Sequence, residues 1–295
     1  MKERIIGHVK RVNGPILIVK DISDAMMMEL VQIGEQRLVG EVVKLHDGLA
    51  TVQVYEDATS ICPSDNVYGS GMSLSVELGP GLIGTIYDGI QRPLEQLMKA
   101  SGAFISRGLN FDAVDHAKKW DFEPLASVQQ EVSAGQILGT VQETSRIEHK
   151  IMVPPAIGRA TLLDIAQKGA YTVDEVIATL VDDEGREIRL TMIQRWPIRL
   201  PRPVDTRLAL KQPLITGLRV IDTLFPLAKG GTVAIPGGFG TGKTMTQHSI
   251  AQWCDADIIV YIGCGERGNE MTDVLREFPQ LVDPRTGQSL MERTI

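Results

Sequence analysis

The stretch GTVAIPGGFGTGKTMTQHSIAQW, residues 231–253, decides the fold. Its middle part, residues 237–244, fits the pattern G-x-x-x-x-G-K-[ST], in which backbone N–H groups of a glycine-rich loop converge on phosphate groups. Residues 231–236 are predicted to form a strand and residues 244–253 a helix. The start of a helix adds unpaired N–H groups and the positive end of its dipole. The stretch therefore predicts a phosphate-binding loop between a strand and a helix.

The residues of this loop have different predicted roles. Lys243 supplies a mobile positive charge for the outer phosphates, and the hydroxyl of Thr244 can ligate Mg²⁺. The other positions shape the loop and offer backbone N–H groups: Gly237, Gly238, Phe239, Gly240, Thr241 and Gly242. The alternative is an ordinary glycine-rich turn with an incidental lysine, and the strand-loop-helix context counts against it.

A second strand-to-helix unit follows the loop. Residues 257–263, DIIVYIG, are predicted to be a buried strand and residues 269–278 a helix, which together indicate a parallel sheet covered on both faces. Because ligands lie at the carboxyl ends of such strands, we expect Glu266 and Arg267 to face the same crevice as the loop. Glu266 could polarise a water for attack on a γ-phosphate, and Arg267 could hold that phosphate. An ion pair at the start of the helix explains both residues equally well.

The N-terminal part of the chain is predicted to be a small β-barrel. Four short runs rich in β-branched residues alternate with turns, at residues 5–10, 16–19, 38–44 and 50–55. Asp47-Gly48 between two of these runs is a strong hairpin signal, because glycine supplies the positive φ of a tight turn. Closure into a barrel removes the unpaired edges that several short strands would otherwise leave.

The remaining segments predict a short helix and an inserted domain. Residues 81–97 are predicted to be a strand that enters a short helix near Pro93. The predicted divisions are a β-barrel at 1–68, a connecting part of the nucleotide-binding domain at 69–110, an inserted β-rich domain at 111–190 and a P-loop domain at 191–295.

Composition excludes several classes of protein. Of the 295 residues, 43% are hydrophobic and 23% charged, which is typical of globular proteins rather than disordered ones. The formal net charge of −7 argues against a nucleic-acid-binding surface. Three scattered cysteines favour a reducing cytosol over a disulfide framework, and the histidines lack metal-ligand spacing. The sequence predicts neither a signal peptide nor a membrane span.

Beyond these patterns, the chain resembles the catalytic A (alpha) chain of V-type and archaeal A-type rotary ATPases over essentially its whole length. The resemblance rests on the loop and on GLIGTIYDGIQRPL, HKIMVPP, LTMIQRWP, TGLRVIDTLFP and GERGNEMTDV. The inserted segment near residues 110–190 and the residues after the GER triplet separate this family from the related F-type beta chain.

The resemblance implies a β-barrel, an inserted β-rich "bulge" domain and a RecA-like α/β P-loop domain that is incomplete at its C-terminus. It implies that the loop binds ATP or ADP with Mg²⁺, that Glu266 is the general base and that Lys243 and Arg267 contact phosphate. Implied partners are B subunits in an alternating hexameric ring, central rotor and peripheral stalk subunits, and indirectly a membrane sector. The ring would lie on the cytoplasmic face of a membrane, where ATP hydrolysis or synthesis is coupled to proton or sodium-ion transport. The arginine finger would come from a neighbouring B chain.

Two departures from the family pattern matter. The loop carries Gly238 where relatives have proline and Thr241 where they have serine, and neither change removes a group that phosphate binding needs. The chain ends at Ile295, where the family continues into further parallel strands and a Walker B aspartate. We therefore expect a fragment that cannot turn over ATP alone.

Two other functions compete with that of a rotary ATPase catalytic chain. One is a truncated chain that binds nucleotide or partners without turnover. The other is a hexameric helicase or secretion ATPase, which shares the P-loop; the negative charge and the inserted β domain count against it.

Overall fold

The computed structural model describes residues 4–102, 104–238 and 240–295, apart from the side chains of residues 269–271, 273 and 274. The chain divides into two compact units. The first consists of the N-terminal residues up to Leu78 with Tyr87–Ala113 and Ile193–Pro201; the second consists of Gly79–Ile86, Val114–Met192 and Arg202–Ile295.

The first unit contains a closed barrel of six strands. Neighbouring strands are antiparallel and follow the order β1-β2-β5-β4-β3-β6 around the barrel. The strands are β1 (Arg4–Asn13), β2 (Ile16–Lys20), β3 (Glu29–Ile33), β4 (Leu38–His46), β5 (Leu49–Val54) and β6 (Asn66–Ser73). Alternate side chains point inward and form a continuous apolar core that includes Ile6, Leu17, Ile33, Leu38, Val42 and Val52. The predicted β-barrel is present.

The hairpin between β4 and β5 has the predicted turn. Asp47 and Gly48 both have positive φ, 48° and 71°, and His46 pairs with Leu49 across the turn. Two positive φ angles match the right-handed twist of the flanking strands.

Two barrel strands, β3 and β6, were missing from the sequence prediction. Glu29 in β3 is buried, and its carboxylate forms an ion pair with Arg4 at 2.8 Å and accepts a hydrogen bond from the backbone N–H of Gly71. A charged residue is therefore part of the barrel interior, and β6 contains two glycines that resemble a loop. Residue patterns hide both strands because β3 begins with a charged residue and β6 pairs only with strands that are distant in sequence.

Beyond the barrel, the described part of the first unit contains a two-stranded pairing and one α-helix. Strand β7 (Ser75–Leu78) pairs antiparallel with Gln194–Pro197. On its other side, the side-chain amide of Gln91 donates to the carbonyl of Glu77 at 2.7 Å and accepts from its N–H at 2.8 Å. Helix α1 (Leu94–Ser101) begins directly after Pro93.

The strand predicted before α1 is wrong. Residues 81–92 contain turns and an isolated bridge between Tyr87 and Pro93. Gly81 and Gly84 have φ angles of 108° and 82°, which lie outside the extended conformation.

The second unit contains two four-stranded antiparallel sheets. One has the order β11-β10-β8-β13 and the other β15-β14-β12-β9. The strands are β8 (Lys119–Pro124), β9 (Glu131–Ser133), β10 (Ile137–Gln142), β11 (Glu148–Met152), β12 (Arg159–Ile165), β13 (Gly169–Thr172), β14 (Ala178–Asp182) and β15 (Glu187–Leu190). Buried side chains from both sheets include Phe122, Leu138, Leu162 and Leu180. This is the β-rich inserted domain that the sequence predicts.

The turn between β10 and β11 contacts the last part of the chain. The hydroxyl of Thr144 donates to the carbonyl of Glu292 at 2.8 Å, and the hydroxyl of Ser145 donates to the carboxylate of Glu292. Arg146 forms an ion pair with Asp283, which is completely buried. Polar contacts thus join the inserted domain to residues 283–292.

The C-terminal part of the second unit contains the helices α2 (Arg219–Leu224), α3 (Lys243–Trp253) and α4 (Gly268–Glu277). The two longer helices lie where the sequence predicts them. A short antiparallel pairing joins Pro213–Leu214 to Leu227–Ala228. No helix in the described ranges is long and apolar enough to cross a membrane.

The two strands predicted around the loop are wrong. Residues 231–236 and 257–263 contain no strand, and the latter segment forms a single parallel bridge between Ile259 and Thr294. A parallel strand exists only through hydrogen bonds to neighbouring strands, and here the segment 293–295 is the neighbour that residues 259–261 pair with. Val233 and Ile262 are consequently 54% and 80% exposed.

Candidate phosphate-binding site

The glycine-rich loop has the backbone conformation that its sequence predicts. Gly240 and Gly242 have φ angles of 76° and 80°, and Gly242 is the residue immediately before helix α3. L-residues adopt this left-handed conformation at an energetic cost, so both positions favour glycine. At Gly237, the first residue of the loop, a Cβ atom would lie 2.4 Å from the hydroxyl oxygen of Thr241. Close packing against Thr241 therefore favours glycine here as well.

Side chains of the loop close back onto its own backbone. The hydroxyl of Thr241 donates to the carbonyl of Gly238 at 2.9 Å. The ammonium group of Lys243 donates to the carbonyls of Gly237 and Gly238, the latter at 3.1 Å. These bonds hold the lysine over the loop, where phosphate oxygens could replace the carbonyls as acceptors. Phe239, also predicted to be part of the site, lies outside the described residues.

A cavity of about 630 Å³ brings the predicted residues of both segments together. Its walls include Lys243, Thr244, Glu266 and Arg267, together with most glycines of the loop. Glu266 and Arg267 are exposed to this space and follow Gly265, whose φ is 70°. The structure therefore places a carboxylate, a guanidinium and an ammonium group around one volume large enough for a nucleotide's phosphates.

The site fits a metal ion held mainly by a substrate. The hydroxyl-bearing residue Thr244 lies in the first turn of α3 and lines the cavity. Among the described residues, no group of three or more His, Cys, Asp or Glu side chains could hold a metal ion. Mg²⁺ typically keeps several waters and binds through few protein ligands plus phosphates, so one hydroxyl is compatible with it.

Family models match three consecutive parts of the chain. Residues 9–71 match the beta-barrel domain of the ATP synthase alpha/beta family, residues 111–199 the ATP synthase alpha/beta subunit barrel-sandwich domain, and residues 217–295 the nucleotide-binding domain of the same family. The chain belongs to the ATP synthase alpha/beta family.

Within this family the chain is similar to the A, or alpha, chains of A-type and V-type enzymes. It is 52% identical to the A chain of the A-type ATP synthase of Methanopyrus kandleri over 295 residues, 100% of this chain and 50% of the relative. It is 53% identical to the corresponding A-type chain of Thermococcus sibiricus over 98% of this chain and 49% of the relative. The V-type ATP synthase alpha chain of Acetivibrio thermocellus is 50% identical, with 98% of this chain and 49% of the relative covered. The chain spans about half the length of the curated relatives it matches.

These matches confirm the resemblance and the fold class predicted from the sequence: a β-barrel, a second β-rich domain and a P-loop nucleotide-binding domain. The individual domain boundaries and the roles of the site residues stay predictions.

Sequence reasoning missed two titratable residues that line the same cavity, His248 and Glu277. His248 is 7% exposed and lies one helical turn after Thr244, so the i, i+4 spacing on α3 is the signal that could have found it. Burial lowers the pKa of His248, while the nearby Glu277 carboxylate acts in the opposite direction. The imidazole is therefore mainly neutral at pH 7.

A buried ion cluster supports the backbone at the end of α3, the helix that follows the loop. Asp283 and Arg293 are both completely buried, with 2.9 Å between the Asp283 carboxylate and the Arg293 Nε atom. Burial alone would raise the pKa of Asp283, but hydrogen bonds from Arg285 and Arg146 and the charge of Arg293 lower it to about 2. Arg293 also donates to carbonyls at the end of α3, including that of Gln252 at 3.3 Å.

Proposed function

We propose that the chain is the N-terminal half of the catalytic subunit of a V/A-type rotary ATPase, which hydrolyses or synthesises MgATP and couples this to proton or sodium-ion transport. The observation that carries the proposal is the single cavity shared by Lys243, Glu266 and Arg267. The similarity to A-type and V-type chains supports it.

We assign to each side chain a task that fits its place in the cavity. Backbone N–H groups of residues 237–244 and the ammonium group of Lys243 would bind the phosphates of ATP or ADP. Thr244 would hold Mg²⁺, which neutralises charge on the phosphate oxygens. The Glu266 carboxylate would orient a water and accept its proton, and Arg267 would hold the γ-phosphate.

The partners are part of the proposal. Catalytic chains and B subunits would alternate in a hexameric ring, with rotor and peripheral stalk subunits linking it to a membrane sector on the cytoplasmic face.

The test uses the full-length protein in its assembled complex. Glu266→Gln should retain nucleotide binding and lower turnover by roughly 10²–10⁴-fold, because the water loses its base. Lys243→Ala should weaken nucleotide binding as well, whereas Lys211→Ala, an exposed lysine of the same unit, should change neither. Turnover by Glu266→Gln at the wild-type rate would contradict the assignment of the base.

A second candidate function is nucleotide binding without turnover by the 295-residue chain itself. It is favoured by the sparse pairing of residues 257–263, which form one parallel bridge and three backbone hydrogen bonds with residues 293–295 but no strand. We expect the isolated chain to bind ATP and not to hydrolyse it. Steady hydrolysis that Lys243→Ala abolishes would rule this out.

A further inference from the structure

One side chain on helix α3 connects the two halves of the cavity. His248 lines the cavity together with Lys243 and Glu266. Its Nε2 atom lies 3.4 Å from the hydroxyl oxygen of Tyr261, within hydrogen-bonding distance. Tyr261 belongs to the segment that leads, five residues later, to Glu266. The contact therefore ties the helix that carries the lysine to the segment that carries the carboxylate.

Around this hydrogen bond, three rings from three different elements pack together. The ring of His248 meets Tyr261 edge-on with 5.7 Å between centroids and Phe278 edge-on at 5.2 Å, while Tyr261 and Phe278 are 5.1 Å apart. Phe278 belongs to an apolar cluster with Ala251, Ile259 and Leu290, and Tyr261 packs against this cluster. Apolar contacts of this kind allow small sliding movements, whereas a hydrogen bond fixes direction.

The charged groups that face His248 come from each element around it. Glu277, at the end of α4, has a carboxylate oxygen 3.9 Å from Nδ1 of His248. Lys243 stands at the start of the same helix as His248, and Glu266 and Arg267 line the cavity from the facing loop. The backbone N–H of Tyr261 donates to the carbonyl of Ile295 at 2.9 Å, which fixes the far side of the tyrosine.

We propose that His248 is a positioning residue, which acts through Tyr261 to set the distance between Glu266 and Lys243. This rests on the proposed function, because it assigns the base to Glu266 and the phosphate charge to Lys243. The cavity geometry matters at this scale, since a displacement of about 1 Å at a reacting centre can lower a rate by about 100-fold.

The experiment compares variants that separate the hydrogen bond from the ring packing, in the full-length protein within its complex. His248→Phe keeps a ring and removes the hydrogen bond, so kcat should fall by about 10- to 100-fold while KM for MgATP changes little. His248→Gln places an amide near the position of Nε2 and should recover most of the lost kcat. Tyr261→Phe removes one oxygen atom and should lower kcat to a similar degree.

The double variant His248→Phe/Tyr261→Phe should be no slower than the slower single variant, because both remove the same contact. Matched controls are Tyr171→Phe in the inserted domain and His46→Phe in the barrel hairpin, both far from this cavity in sequence. Assembly and thermal unfolding of each variant are measured alongside the kinetics. Tyr261→Phe tests the idea even if His248→Phe does not fold.

Three results would overturn the proposal: a raised KM with kcat unchanged, His248→Gln as slow as His248→Phe, or multiplicative losses in the double variant. Failure of the proposed function is recognised separately, because Glu266→Gln and Lys243→Ala would then turn over ATP normally in the same preparation.

Discussion

The barrel and the nucleotide-binding segment of this chain contain strand-forming sequences of similar quality, yet only the barrel forms strands from them. In the barrel, six strands within residues 4–73 close on one another and bury their apolar side chains. In residues 231–263, apolar runs of similar length remain without a ladder apart from one parallel bridge. Three antiparallel pairs of the barrel, β1–β2, β3–β4 and β4–β5, follow each other after short turns, whereas parallel partners must return from a distance along the chain. The difference shows that a strand depends on its neighbours more than on its own residues.

Loss of the buried ions in the nucleotide-binding segment should change stability more than any other substitution considered below. Asp283→Asn should leave Arg293 buried with a weakened partner and lower the free energy of unfolding by about 3–5 kcal/mol. Equilibrium denaturation measures this. A loss below about 1 kcal/mol would contradict the role of the ion cluster in holding residues 283–293.

The same variant has a distinct pH dependence. Because the pKa of Asp283 is lowered to about 2, its ionised form stabilises the folded protein fully above its ordinary pKa of 3.8. That contribution is lost as the pH falls towards 2. The wild-type protein should therefore lose stability between about pH 4 and 2, and Asp283→Asn should lose less over that interval.

The next effect tests the barrel core. Leu17→Ala should destabilise the barrel by about 2–5 kcal/mol, because Leu17 is completely buried and truncation leaves a cavity. Leu208→Ala in the second unit is the matched control, since Leu208 is 86% exposed and should change stability by less than about 0.5 kcal/mol. Hydrogen exchange of backbone amides in β2 and β5 measures the first effect locally. Equal protection of these amides from exchange in Leu17→Ala and Leu208→Ala would contradict the role of Leu17 in the barrel core.

A smaller effect separates two glycines with the same backbone conformation. Gly48→Ala and Gly242→Ala both force a side chain into the left-handed region, at a cost of about 1–2 kcal/mol each. In the barrel the cost should appear as lower stability of the β4–β5 hairpin. In the loop it should appear mainly as weaker nucleotide binding, measured by titration. Unchanged nucleotide affinity in Gly242→Ala would contradict the loop's proposed role.

The smallest change in stability is expected at Ile262, and it tests whether residues 257–263 lack strand partners. Ile262→Thr should change stability by less than about 0.5 kcal/mol, because Ile262 is 80% exposed. In the full-length protein, where further strands could pair with residues 257–263, the same substitution should cost more. Equal costs in the two proteins would indicate that this segment has no additional strand partners.

Sequence patterns predicted the features that depend on neighbours along the chain. The hairpin at Asp47-Gly48, helix α3 and helix α4 follow from turn chemistry and local periodicity. Strand β3 was not predicted, because Glu29 is buried against Arg4 and no local sequence pattern contains this ion pair. The segment at 257–263 was predicted as a strand from its apolar residues, although its ladder depends on partners elsewhere.

The same distinction applies to the site. The loop motif and the residues after DIIVYIG indicated Lys243, Glu266 and Arg267, and all three line one cavity. Glu277 was not predicted because its place in the cavity depends on how α4 packs against α3, whereas the spacing from Thr244 could have indicated His248. The two side chains approach each other only after both helices have folded.

The turn between β10 and β11 has a consequence for the order of synthesis. Its residues 144–146 bind Glu292 and Asp283 through hydroxyl groups and a guanidinium. On the ribosome the inserted domain leaves the exit tunnel well before residues 283–292 are made, and domains generally fold as units in that order. The turn is then a finished docking surface when its partner segment emerges. The inserted domain can thus act as an intramolecular template for the nascent nucleotide-binding segment.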